Sequence, residues 1–136
     1  MSEHQRHDFH RTPCAPLSGM PLPFSECVRW GDLLFLSGQI GNLPGSKELA
    51  PGGMAGQARQ AMENMRAALE RQGATWADVV KVTVMLADMS EWSAFNEVYL
   101  ESFPADALPA RSAFASSGLA LGGRIEIECI AVAPKF

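Results

Sequence analysis

The sequence predicts an α+β fold: a mixed β-sheet with two helices on one face, in the order β-β-α-β-α-β-β. Three observations carry this. Val80, Val82, Val84 and Leu86 alternate with Lys81, Thr83 and Met85, and a period of two marks a strand. Ala58, Ala61, Met62, Met65 and Leu69 recur at helical spacing and form one apolar stripe. Turn residues punctuate the chain between such segments, and no internal repeat or domain linker is visible.

The elements follow in order. Residues 1–23 contain His4, His7 and His10 and four prolines between Pro13 and Pro23, which predicts a flexible tail. Residues 24–136 then form one domain. Cys27 to Trp30 and Leu33 to Ser37 flank Gly31-Asp32, a two-residue hairpin turn. A loop rich in glycine and proline runs from Gly41 to Gly53, and Gly73 stops the helix that follows. Thr75 to Asp78 resembles a capping box ahead of the alternating strand. Ser90 is placed to cap a second helix from Glu91 to about Phe103, with Trp92, Phe95, Tyr99 and Phe103 on one stripe. Pro104 ends it. Two strands close the chain, Ser112 to Ser116 and Arg124 to Val132, joined by the glycine-rich residues 118–123. The first helix is a crossover long enough to make its flanking strands parallel, and the rest can pair antiparallel. Two helices cover one face only. Ile125 against Ile130 and Val132 gives the last strand apolar residues on both sides, so the second face is expected to be buried between subunits.

Composition narrows the function. The chain has 136 residues, 47% hydrophobic and 19% charged, enough for one domain with a true core. A net charge of −4 argues against a nucleic-acid surface. The three cysteines form no CxxC pair, which fits a reduced, cytoplasmic setting. No apolar run reaches the roughly 18 residues of a membrane span. His4, His7, His10 and Cys14 do not match a zinc spacing, and no metal is expected.

Arg111 carries the functional reading. A planar, permanently charged guanidinium at the start of a strand suits a carboxylate held by two parallel hydrogen bonds. A glutamate one strand away can orient or activate a water. Together they suggest hydrolytic chemistry on a small acid without a metal. The competing reading of Arg111 is a surface or inter-subunit salt bridge, and that of Glu126 a solvated strand charge. Ser37 is read as a turn or pocket hydroxyl, since no histidine after His10 could activate it.

Several motifs then occur together. Phe24-Ser25, Ser37-Gly38-Gln39-Ile40, Asn96-Glu97-Val98-Tyr99, Pro109-Ala110-Arg111-Ser112 and Ile125-Glu126-Ile127-Glu128-Cys129-Ile130-Ala131-Val132 resemble the RidA/YjgF family of reactive-intermediate imine deaminases. The resemblance runs from about Pro23 to Val132. It implies a chorismate mutase-like fold, a homotrimer with sites in the clefts between subunits, and cofactor-free hydrolysis of 2-imino or 2-enamino acids, such as 2-aminoacrylate, to 2-oxo acids and ammonia. It puts the carboxylate-binding arginine on Arg111 and the water-associated glutamate on Glu126, and adds Ser37 and Asn96 to the pocket. Phe24 stands where the family has tyrosine, and Ala113 where it has cysteine; Ala113 is expected to serve through its backbone and Phe24 as pocket wall. Two other functions stay in view. One is a non-catalytic member that binds a small carboxylate; the other is an endoribonuclease or translation inhibitor, which the acidic balance opposes.

Overall fold

The computed structural model describes residues 9–134. Local chemistry sets its elements. Gly31, with φ 59°, occupies the first central position of the hairpin turn and lets Trp30 pair with Leu33. The turn joins β2 (Ser25–Trp30) to β3 (Leu33–Ile40). The long helix α1 (Gly53–Arg71) buries Ala58, Ala61, Met62, Met65, Ala68 and Leu69 on one stripe, and small alanines let it lie close on the sheet. It ends where Ala74 N–H donates to the Leu69 carbonyl. The Thr75–Asp78 capping box forms, with the Thr75 amide donating to Asp78 Oδ2 at 2.8 Å.

Among the described residues the sheet has six strands, in the order β1 (Phe9–Pro13), β2, β3, β6 (Ile125–Val132), β4 (Val79–Leu86), β5 (Ala110–Ala115). The short helix α2 (Trp92–Tyr99) packs beside α1, and α1 lies across β3 and β6. The core between helices and sheet holds Leu34, Leu36, Val82, Val84, Phe95, Ile125 and Ile127. Among the described residues no helix is long and apolar enough to cross a membrane.

Several expectations are corrected. Phe9–Pro13, read as tail, is an edge strand paired with β2. Phe9 stacks on Trp30, and Gln72 Nε2 donates to Thr12 Oγ1 at 2.7 Å. Pro13 sits at the end of the pairing, where the missing N–H costs nothing. Residues 1–8 of the tail, with His4 and His7, lie outside the described residues. The strands flanking α1 do run the same way, but β6 lies between them; the adjacent parallel pair is β4 with β5, joined through α2. Asp88, not Ser90, caps the turn before α2, accepting from the Ser90 amide at 2.9 Å. The helix ends at Tyr99, because bonds from Glu101 and Ser102 back to the third residue before each tighten the chain. A bulge between Val79 and Lys81 expels Val80, which is exposed rather than core.

The face away from the helices is apolar near the hairpin. Phe35 pairs with Ile130 and Val28, and Leu33 pairs with Val132 and Trp30. Phe35, Val132 and Trp30 each remain at least 41% exposed in the single chain.

Gly56 tests the seating of α1. Alanine normally stabilises a helix by about 1 kcal/mol relative to glycine. Here an added Cβ would overlap the Pro51 carbonyl oxygen, a backbone atom that cannot swing away. G56A is expected to lower stability by about 1–3 kcal/mol, seen as a fall in Tm. An unchanged or higher Tm would contradict this seating.

Candidate functional site

The parallel pairing of β5 with β4 fixes Arg111. It lies opposite Val82, which lies opposite Cys129 on β6, and this row faces the helices. At the sheet edge no further strand covers Arg111, so its side chain reaches the end of α2. Its guanidinium carbon sits 4.7 Å from the centre of the Tyr99 ring. Asn96, Tyr99, Leu100, Leu108, Pro109 and Arg111 line a cleft of about 340 Å³. Its walls are mostly apolar and its charge is the guanidinium, which suits a small organic acid.

Two features show unused bonding capacity. Arg59, Arg66, Arg71 and Arg124 each hold a carboxylate. Arg111 makes no hydrogen bond or ion pair among the described residues, so no salt bridge holds it within the chain. On the same helix, Asn96 Oδ1 and the Tyr99 hydroxyl are buried without a partner. Buried polar atoms are paired in most folded proteins, so an orphan oxygen beside a free guanidinium calls for a ligand.

A second cluster forms where β3 and β6 separate around the bulge between Leu36 and Gln39. The Glu126 carboxylate folds over Gly38, filling the space a Cβ would need. Burial, and then the Glu128 carboxylate two residues along, raises the Glu126 pKa above its ordinary value. Ser37, next to Gly38, donates its hydroxyl to the Ser25 carbonyl at 2.5 Å. That bond ties the start of β2 to β3 and sets the neighbouring Phe24, which is half exposed. Ser37 is thus a structural hydroxyl in the single chain.

The two clusters do not meet within one chain. Glu126 lies opposite Met85 on β4, and Met85 opposite Phe114 on β5. That row is three residues from the Arg111 row on every strand, so it faces the other side of the sheet. Glu126 is also two strands from Arg111, with β4 between them. The expected single strand step is therefore corrected. Two strand spacings and three residues put the two backbones about 10 Å apart in each direction. Arg111 and Asn96 are brought together; Glu126, Ser37 and Phe24 form the other group. Ala113, two residues past Arg111, packs half-buried against the core.

Sequence reasoning missed Tyr99, Leu108 and Gly38. Tyr99 stood on the apolar stripe and in the Asn96–Tyr99 motif, without a role of its own. Its position three residues after Asn96, hence on the same helix face, was the available signal. Gly38 stood in the Ser37–Ile40 motif, but its making room for Glu126 depends on a pairing across strands.

The comparisons with known proteins bear on the family and the fold. The family described as Endoribonuclease L-PSP matches residues 19–133. The 2-iminobutanoate/2-iminopropanoate deaminase of Capra hircus is 43% identical over 110 residues, covering 81% of this chain and 80% of its own. The Homo sapiens protein of the same name is 41% identical over 110 residues, with the same shares covered. The crystal structure of RidA from the Antarctic bacterium Psychrobacter sp. PAMC 21119 superposes with a TM-score of 0.78 at 35% identity, covering 90% of this chain and 94% of that one. With the sheet order, the two-helix layer and these likenesses in agreement, the chain belongs to the RidA/YjgF family, in the α+β fold of its chorismate mutase-like members.

Proposed function

We propose that this protein is an imine deaminase, hydrolysing reactive 2-imino acids and their enamine tautomers to 2-oxo acids and ammonia. The observation that carries the reading is the free guanidinium of Arg111 at the head of an apolar cleft. Relatives about 40% identical carry the name of that activity.

The chemistry asks little of the protein. An iminium carbon is already electrophilic, so fixing the substrate and delivering water can suffice. Arg111 holds the carboxylate as a fork, and Asn96 Oδ1 accepts a hydrogen bond from the substrate nitrogen. Glu126 orients a water and takes its proton as the oxygen bonds to C2. The same proton passes to nitrogen, the C–N bond breaks and ammonia leaves, and the C2 hydroxyl becomes the oxo group as its proton passes to the again-ionised Glu126 carboxylate. The main chain at Ser37 and Ala113 and the ring of Phe24 complete the pocket. No step calls on a cofactor or metal.

Because Arg111 and Glu126 face opposite sides of one sheet, the site takes Arg111 and Asn96 from one subunit and Glu126, Ser37 and Phe24 from its neighbour. We infer a homotrimer, with the band of exposed Phe35 and Val132 and half-buried Ile130 covered where the subunits meet. Three free cysteines support a reduced, cytoplasmic setting, in which 2-aminoacrylate shed by pyridoxal-phosphate enzymes is a natural substrate.

The test generates imine with an amino-acid oxidase and follows its disappearance with and without protein. R111A is expected to lower kcat/KM at least about 100-fold, and R111K about tenfold, since an ammonium cannot make the planar fork. Turnover that survives both changes would remove the carboxylate clamp. Glu126 gives a pH test. A base must be ionised to accept a proton, so kcat/KM falls as pH drops through its pKa. That acid limb is expected above the ordinary carboxylate range, and E126Q should abolish it along with most of the rate. A wild-type profile flat through the acid range would contradict the role of Glu126.

A further inference from the structure

We infer that Tyr99 is the positioning residue for Arg111: its ring face sets the plane in which the guanidinium meets a carboxylate. This rests on the proposed function and adds to it a cleft-lining residue that acts on the substrate through Arg111.

An arginine side chain on an edge strand has many rotamers to lose. Most arginines are fixed by carboxylates, and Arg124 on Glu91 is a nearby example. Arg111 has no such partner among the described residues, and a permanent salt bridge would in any case occupy the N–H groups that a substrate needs. A ring face holds the cation in a different way. It attracts the flat side of the guanidinium and leaves the edge, with its five donors, free to aim into the cleft. The 4.7 Å separation from the Tyr99 ring is within range of that attraction.

The platform is itself rigid. Tyr99 is only 4% exposed. Its ring packs on Phe95 at 5.6 Å and on Phe103 at 4.8 Å, and Phe103 meets Trp76 edge-on at 5.0 Å. These contacts tie Arg111 to the α2 layer. Arg111 meets the ring and not the hydroxyl, which is buried and makes no hydrogen bond among the described residues. The role therefore belongs to the π-face, and phenylalanine should fill it.

The experiment compares full-length wild type, Y99F and Y99L. It measures turnover of 2-iminobutanoate, binding of 2-oxobutanoate by calorimetry, and Tm. Y99L is expected to raise KM and Kd roughly five- to tenfold, between an exposed and a fully desolvated cation–π contact as suits a half-buried arginine, with kcat within about twofold. Y99F is expected to keep all three constants within about twofold and to raise Tm, because it removes an unpaired buried hydroxyl. If Y99L does not fold, Y99M, whose unbranched side chain adapts to irregular space, replaces it in the same measurements. Unchanged KM and Kd in the leucine or methionine variant, with Tm alone lowered, would overturn the inference and leave Tyr99 as core. So would a Y99F loss as large as that of Y99L, since the effect would then follow the hydroxyl. A wild-type protein that neither turns over the imine nor binds the oxo acid would overturn the proposed function and this inference with it, so the two failures are told apart.

Discussion

Alternation along a β-strand is the constraint on which everything else depends. Successive side chains must point to opposite faces, so residues three apart on one strand cannot share a side. Arg111 belongs to the row of Val82 and Cys129, and Glu126 to the row of Met85 and Phe114. On the proposed function, the pairing register thereby splits the chemistry into two half-sites. One sits under the helices at the sheet edge. The other lies at the bulge of β3, beside an apolar band that has no helix to cover it. On the proposed function, the same physics answers both features. Burying the bare band drives copies together, and the meeting of copies completes the site.

Each half-site is prepared differently. At the edge, an arginine without a counter-charge rests on an aromatic ring in a mostly apolar cleft. A charge left free in such a place is costly unless a ligand supplies its partner. At the bulge, a glycine opens room for a carboxylate, and burial raises that carboxylate's pKa. The first half suits holding an acid, and the second suits handling a proton. Neither half is suited to both tasks.

Much of this was legible in the sequence, and what was missed has physical causes. The alternation of Val82, Val84 and Leu86, the stripe of α1 and the Thr75–Asp78 capping box are local patterns, and local patterns survive folding. Arg111 stood out because a charge at the mouth of a strand needs a reason. β1 was hidden by prolines, most of which lie after the segment that pairs. Val80 was misread because a bulge breaks the period of two, and a bulge depends on the partner strand. Asp88 displaced Ser90 as the cap because the chain makes one 3-10 turn before the helix, a detail without a distinct sequence mark. The adjacent β4–β5 pair and the closeness of Gly38 to Glu126 are long-range facts. Tyr99 carried a signal, its spacing from Asn96, but an aromatic on an apolar stripe reads as core until the arginine is placed over it.

The most direct test of a shared site mixes two inactive chains. R111A and E126Q are combined in equal amounts, unfolded and refolded together, and mixed oligomers are verified by native mass spectrometry. If each site takes its arginine from one subunit and its glutamate from the next, random mixing rebuilds about a quarter of the sites, and about a quarter of wild-type turnover returns. If mixed oligomers form and turnover stays at the level of the separate variants, the two residues do not serve one site and the account fails.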